Sequence, residues 1–379
     1  MAGPLRFRRS NETWNEGRVR DRLLAPLQDS FGARLEDPWF RIANDRYEAR
    51  RMEMDNGDFA LFCYRPGRAY WLGNTETPEA LWRTDKETFA EAPYAVSRWA
   101  QRELTARVEL TDPWLAAFEH VTWFFLPVFC SKDGRHTTRR FFEEDAAGFP
   151  DATREEGLGF YESLLSTGVL DAHRYTMASK LGTSGGYDVG RMRATMAEFD
   201  VAKLLADAGL EFVPEVEQAS GHALDFAVGD DLVEVTRPRP PARRSGADHP
   251  VAAVEETGGA KRSDQLAKHP DSALFIDCTS FPDDEWAAVR GEKPGVGHQP
   301  TVVFRARPDG RRGLPPRWAA VRPGRCHRVG LSGKHRLASQ FLPVDQLTPG
   351  GLIVTAVTVC RYDRPQSGGR SGNDSQQSL

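Results

Sequence analysis

A chain of 379 residues exceeds one ordinary core of about 100 to 200 residues, so two or three domains are expected. With 40% hydrophobic and 27% charged residues, the composition is globular and excludes a wholly disordered or fibrous chain. The formal charge of −4 gives no global pull toward nucleic acid, so any such binding must come from a local patch. The longest apolar run, Val121 to Cys130, is ten residues and contains Pro127, short of the roughly 18 that a membrane helix needs. The basic stretch Met1 to Ser10 has no apolar segment behind it, so a cytoplasmic protein without a membrane partner is expected. Five cysteines (Cys63, Cys130, Cys278, Cys326, Cys360) lie at least 34 residues apart, which excludes a zinc-ribbon spacing and reads as buried or free thiols. Of the 50 basic residues only eight are lysine, a ratio that genome composition accounts for.

Seven of the nine tryptophans precede position 150, and the chain beyond is richer in Gly, Pro and alternating strands, so a domain boundary is expected between 150 and 185. The first domain, 1–165, reads as α+β. Its elements are a helix at Glu16 to Phe31 and a hairpin in which Phe59 to Tyr64 and Arg68 to Leu72 flank Pro66-Gly67. A helix at Tyr94 to Thr105 and an aromatic strand at His120 to Cys130, turning at Lys132-Asp133-Gly134, complete it. No catalytic constellation lies in this half, and its aromatics read as core.

The second domain, 185–360, begins with a helix from Asp188 to about Ala208, stopped by Gly209. Strands follow at Glu211 to Glu217, His222 to Val228 and Asp231 to Thr236. The Pro/Arg/Gly-rich loop Arg237 to Pro250 leads to a helical stretch at Lys261 to Lys268. A strand at Ala273 to Thr279, a helix at Asp283 to Arg290 and strands at Thr301 to Arg307 and Leu352 to Cys360 complete the series. The tail 363–379, rich in Ser, Gly, Gln and Asn, is expected to be disordered.

The hairpin about Gly229-Asp230 has a register that can be worked out, because a two-residue turn places Val228 opposite Asp231. Phe226 then faces Val233 and Leu224 faces Val235 on a core side, while Asp225 faces Glu234 on the other. Opposed carboxylates are destabilising unless a proton or cation intervenes, so this pair invites a divalent metal. Glu198 adds a third acid, because at 100° per residue it shares an apolar arc with Ala194, Val201, Ala202 and Leu205. A capping box of Thr195 with Glu198 is the structural alternative.

A helix acid, a strand Asp, Glu-x-Thr on the next strand, then a helix carrying Lys261 and Gln265 before another apolar strand: this order resembles the core of the PD-(D/E)XK nuclease superfamily. The resemblance covers Asp188 to Thr279, about a quarter of the chain. It implies a restriction-endonuclease-like α/β fold, a mixed sheet flanked by helices, here preceded by the α+β domain. It also implies that Asp225, Glu234 and the Val235 carbonyl bind Mg²⁺ or Mn²⁺, with Glu198 holding water or a second ion. Thr236 stands where the superfamily has lysine, and Lys261 is the replacement to expect, with Gln265 one helical turn on. Arg237 is a poorer replacement, since strand alternation points it to the opposite face. Taken whole, the chain also resembles a family of haloarchaeal proteins, which implies nothing about function.

Arg237, Arg239, Arg243 and Arg244, interleaved with prolines, read either as a track for a DNA or RNA backbone or as a solvated loop. Gly182-Thr183-Ser184-Gly185-Gly186 matches the G-x-S-x-G of a hydrolase elbow, but the weakly apolar Tyr175 to Leu181 before it reads as a loop rather than the required strand. No Gly-Lys-Ser or Gly-Lys-Thr follows, which excludes a P-loop. The expected activity is therefore metal-dependent phosphodiester hydrolysis of DNA or RNA, with homodimerisation to cut both strands left open. The alternatives are a degenerate module that binds nucleic acid or protein without cleavage, and a structural protein whose acids salt-bridge to arginine.

Overall fold

The computed structural model describes residues 6–308 apart from 44–45, 75–82, 86–91, 132–133, 183–185, 219–220, 222, 240–248 and 299, together with 357–358. The expected disordered tail lies outside the described residues.

The first sheet is antiparallel throughout. Its strands are β1 (Arg6–Ser10), β2 (Arg34–Glu36), β3 (Glu48–Glu53), β4 (Phe59–Arg65), β5 (Arg68–Gly73) and β6 (Arg83–Asp85), in the order β2-β3-β4-β5-β1-β6. The expected hairpin about Pro66-Gly67 is β4–β5. Both strands are buried on both faces, and the period of two sorts their side chains. Ala60, Phe62, Tyr64 and Trp71 pack beneath the N-terminal helical run, against Val19, Leu23 and Leu27 at helical spacing. That run comprises α1 (Glu16–Val19), a π-helical turn and α2 (Ala25–Phe31). Asn15 caps it, and Gly32, at φ +65°, ends it. Phe59, Leu61, Cys63, Tyr70 and Leu72 face the other way, into the main core.

The main core is a helical layer: α3 (Tyr94–Thr111), α4 (Glu119–Phe129), α5 (Arg135–Glu144), α6 (Arg154–Leu165) and α7 (Arg174–Ser179). One apolar cluster runs from β4 and β5 through these helices to the second sheet. The segment His120 to Cys130, expected as a strand, is helix α4. Its residues are apolar nearly all round and buried nearly all round, so the run carries no periodicity to separate helix from strand. Pro127 sits inside it and removes the amide that would bond the Trp123 carbonyl. The Arg174 guanidinium supplies the missing donor, binding the Trp123 carbonyl through Nη2 and the Phe124 carbonyl through Nε at 3.1 Å. Burial pulls the Arg174 pKa down to about 10, the cost of keeping this cation in the core.

The second sheet comprises β7 (Val213–Glu217), β8 (Ala223–Val228), β9 (Asp231–Thr236), β10 (Ala273–Asp277), β11 (Thr301–Phe304) and β12 (Val357–Thr358), neighbours in that order. The β7–β8–β9 meander is antiparallel, β9–β10–β11 is parallel, and β12 closes the edge antiparallel. Helix α8 (Val189–Asp207) covers one face. Helices α9 (Pro250–Ser263) and α10 (Asp283–Glu292) make the two parallel crossovers and share a small core with Leu274, Ile276, Cys278 and Val303 on the other face. The fold is thus mixed α/β, with a mixed sheet held between helices. Among the described residues no helix is long and apolar enough to cross a membrane. Cys63, Cys130 and Cys278 are buried free thiols, and Cys326 and Cys360 lie outside the described residues.

The helix expected at Lys261 to Lys268 instead starts at Pro250 and ends at Ser263. Gly258 and Gly259 weaken its helical signature, and Gly258 is needed for packing: a methyl there would collide with Val296 and press on Ile276.

The Pro127–Arg174 compensation is testable by urea unfolding. Arg174→Ala should cost on the order of 2 to 3 kcal/mol, because it strands a buried carbonyl. In a Pro127→Ala background, where alanine restores the amide, the same change should cost about half as much, and equal costs in both backgrounds would contradict the assignment.

Candidate functional site

The hairpin register is the expected one: Phe226 pairs with Val233, Ala227 with Leu232 and Val228 with Asp231. Past Phe226 the two strands part. By that register the Val235 amide would bond the Leu224 carbonyl, but it donates instead to Asp225 Oδ2 at 2.7 Å. The Asp225 carboxylate therefore sits in the fork between β8 and β9, joined to Val235 through the amide.

On the other side of β8, Pro214 pairs with Phe226 and Val216 with Leu224, which sets Glu215 opposite Asp225. Glu215 has φ +56°, a left-handed conformation that costs a non-glycine residue about 1 kcal/mol and turns it out of the regular pleat. Glu198 arrives from α8. Glu198, Glu215 and Asp225 each offer a carboxylate oxygen, and these three oxygens lie within 4.8 Å of one another. Glu234, 2% exposed, accepts from Lys261 Nζ at 2.5 Å through Oε1, while its buried Oε2 has no donor among the described residues.

Two lysines hold this cluster. Lys180, the C-cap of α7, bonds both Glu198 and Glu215. Lys261, in the last turn of α9, bonds Glu234 and the Gln265 side chain. Gln265 is not on the same helix, as the spacing led one to expect; it lies beyond the Asp264 cap, where the chain folds back. It reaches Lys261 all the same.

The electrostatics follow from burial. Glu198 is pushed up to about 8, first by desolvation and then by the charge of Asp225, against the pull of Lys180. Glu234 is pushed up to about 7 by the same two effects, with Lys261 opposing. Desolvation raises Asp225 too. Burial alone would lower Lys180, but Glu198 and Glu215 outweigh it and its pKa rises. With every group ionised, four carboxylates against two ammonium groups leave a charge of −2, which one divalent cation would balance. The three oxygens of Glu198, Glu215 and Asp225 at this spacing are of the donor type that suits Mg²⁺ or Mn²⁺, and Glu234 Oε2, without a donor among the described residues, is a further oxygen of the same kind outside that set.

Sequence reasoning named Asp225, Val235, Glu234, Glu198, Lys261 and Gln265; of these, Glu198 and Asp225 share the three-oxygen cluster, the Val235 amide bonds Asp225, and Glu234 and Gln265 are joined through Lys261. It missed Glu215 and Lys180. Glu215 was legible in principle, because a β7–β8 register aligned on Asp225 selects it. Lys180 carried only the signal of being one of eight lysines in an arginine-rich chain. The capping-box alternative for Glu198 fails, since the cap of α8 is Asp188 and Thr195 lies inside the helix. The segment before Gly182, read as a loop, is helix α7 through Ser179, so the strand that a hydrolase elbow requires is not there; Thr183 to Gly185 lie outside the described residues.

The arginine track is corrected in part. Arg237 is buried, with 2% of its side chain exposed, and it bonds Asp200 of α8 and Asp277 of β10, the latter through Nε at 2.8 Å. Tyr161 adds a hydrogen bond to Asp200 at 2.9 Å. Strand alternation sends Arg237 to the α8 face, where two buried acids claim it, so it is unavailable as a surface contact to a nucleic-acid backbone. Arg239 is exposed, and Arg243 and Arg244 lie outside the described residues.

The fold and site together define a mixed α/β protein with a lysine-bridged acidic centre at a strand fork. The chain belongs to a family of unknown function (DUF5784), whose pattern matches residues 2–313 and so spans every residue of the centre. No curated protein and no solved structure matches it.

The raised carboxylates set the pH dependence of stability. Glu198 and Glu234 bind protons more tightly folded than unfolded, so the stability they contribute is complete below about pH 4.5 and is lost as pH rises through 7 to 8. In chelator, urea unfolding should show a loss on the order of 2 kcal/mol between pH 6 and 9. Glu198→Gln should remove much of that decline. A flat profile for the unsubstituted protein would show that the carboxylates are ionised throughout.

Proposed function

We propose that this protein is a metal-dependent phosphodiesterase acting on DNA or RNA in the cytoplasm, with a restriction-endonuclease-like core. The observation that carries the reading is the carboxylate cluster at the β8–β9 fork with Lys261 held against Glu234. The order α8, three antiparallel strands, α9, then a parallel strand is the order on which the resemblance to PD-(D/E)XK nucleases rests.

Asp225, Glu234 and the Val235 carbonyl would hold Mg²⁺ or Mn²⁺, with Glu198 and Glu215 completing the oxygen set or holding a second ion. A bound ion supplies neutralisation of charge at the scissile phosphate and an acidified water. The remaining work falls to the protein's own groups. Lys261, held by Glu234 and Gln265, takes the place of the lysine that Thr236 lacks and donates to phosphate oxygen as charge builds there. Lys180 keeps Glu198 and Glu215 together before the ion arrives, and it competes with the ion for them. Protons on Glu198 and Glu234 must leave first, so metal affinity rises with pH through 7 to 8. The exposed Arg239 is the described residue best placed to meet a neighbouring backbone phosphate.

A second reading rests on Thr236 and on Lys180: a module whose acids are satisfied by lysine and which binds nucleic acid or protein without cutting it.

Cleavage of single-stranded and duplex DNA and RNA, with Mg²⁺, Mn²⁺ or chelator and at several ionic strengths, separates the two readings. The expected result is metal-dependent cleavage that Asp225→Asn abolishes and Lys261→Ala slows by about 10² to 10³ while leaving metal affinity within a few-fold. Chelator-insensitive nucleic-acid binding without cleavage, unchanged in Asp225→Asn, would establish the binding module.

A further inference from the structure

The parallel strands β9, β10 and β11 end together, and in such sheets the crevice beyond the carboxyl ends of the strands is where ligands bind. Here that crevice is a cleft of about 260 Å³, lined among others by Asp188, Gly190, Arg193, Arg237, Arg239 and Ser280. Three separate elements meet there: the first turn of α8, the segment after β9 and the segment after β10.

The donors in this cleft outnumber the acceptors. Helix α8 is 19 residues long, and the amides of its first turn have no partner within the helix. The Asp188 carboxylate accepts from the Arg191 amide at 3.1 Å, which leaves the amides of Val189 and Gly190, both lining the cleft, as donors under the positive end of the helix dipole. Arg193 is already joined to Asp145. Arg237 gives Nε and Nη2 to Asp277 and Asp200, and its third nitrogen, Nη1, is buried with no acceptor among the described residues. A buried guanidinium nitrogen left without an acceptor is destabilising unless a ligand supplies one. A small residue keeps the space open: a methyl group on Gly190, which lines the cleft, would lie 3.6 Å from Arg239 Nε. Ser280 lines the cleft from the β10 side.

We propose that this cleft is a binding site for a phosphate group, held by the amides at the start of α8, Arg237 Nη1, the Arg239 guanidinium and the Ser280 hydroxyl. Donors converging from three elements match the tetrahedral oxygens of a phosphate better than the two coplanar oxygens of a carboxylate. The site is separate from the acidic centre: Glu198 lies eight residues further along α8 than Gly190, about 12 Å along the axis. It therefore stands whether or not the protein cleaves nucleic acid. The phosphate can belong to a nucleic-acid end or be free in solution, and both present the same oxygens.

The test uses the full chain and inorganic phosphate, followed by calorimetry at constant ionic strength. The expected result is saturable binding that Arg239→Ala and Gly190→Asp each weaken at least about tenfold. Asp225→Asn should bind as the unsubstituted protein does, which keeps this outcome independent of the acidic centre. Both weakening substitutions spare the core: Arg239 is exposed, and an aspartate in the first helical turn favours the helix. A 5′-phosphorylated oligonucleotide binding more tightly than its 5′-hydroxyl counterpart, and displaced by phosphate, would assign the group to a nucleic-acid end. Equal binding of the two oligonucleotides, with phosphate itself bound, would assign it to a small molecule. Absence of saturable phosphate binding up to about 20 mM, or binding that both substitutions leave unchanged, would overturn the proposal.

Discussion

Strand pairing forces carboxylates together here, and much of the second sheet's surroundings is arranged around their repulsion. Glu215 falls opposite Asp225 on the neighbouring strand, Glu198 meets the pair from α8, and the charge of Glu234, across the fork, is felt at the same place. Unrelieved, such a set could not remain ionised in a half-buried cleft. Relief comes from outside the sheet. Lys180 is delivered by the end of α7 to Glu198 and Glu215, and Lys261 by the end of α9 to Glu234, so two separate helices are pinned to the acids of this region. The fork between β8 and β9 belongs to the same economy: the Asp225 carboxylate takes over the Val235 amide that pairing would have given to a backbone carbonyl.

A second buried charge group sets where that fork can open. Arg237, immediately after β9, joins Asp200 on α8 to Asp277 on β10, and Tyr161 extends the network into the helical layer. Removing one member would leave a buried charge without compensation, at a cost on the order of 3 to 5 kcal/mol. The network fixes α8 over the carboxyl ends of the parallel strands. Glu198 is thereby held against Asp225 at one point of the helix, and the donor-rich cleft is held at its start. Function and fold are coupled through one helix that carries an acid, a buried carboxylate partner and an amide-rich end.

Much of the second sheet could be read from local pattern. The turn at Gly229-Asp230 dictated the β8–β9 register, Gly209 at φ +70° ended α8, and the placing of Asp225 beside Glu234 followed from counting residues. Failures arose where the deciding interaction was long-range. Helix α4 is apolar on every side, so its period was invisible, and its proline is tolerated only because Arg174 arrives from fifty residues away. Lys180 joins the site through tertiary packing that has no sequence signature, and Glu215 through a β7–β8 register that only an alignment on Asp225 would have selected. For Arg237, alternation gave the correct face, but only the structure shows that two buried acids occupy its guanidinium. The matched family spans these residues without assigning them a role.

The central claim is that the acids at the strand fork form a divalent-cation centre. Titration of Mn²⁺ into the full chain near pH 8, read by the loss of the free-ion electron paramagnetic resonance signal, tests it most directly. The account predicts saturable binding of at least one ion per chain that Asp225→Asn weakens by about tenfold or more, with protons released as the ion is taken up. Absence of saturable binding, or binding that Asp225→Asn leaves unchanged, would contradict it and leave the lysines as the only counter-charges these carboxylates have among the described residues.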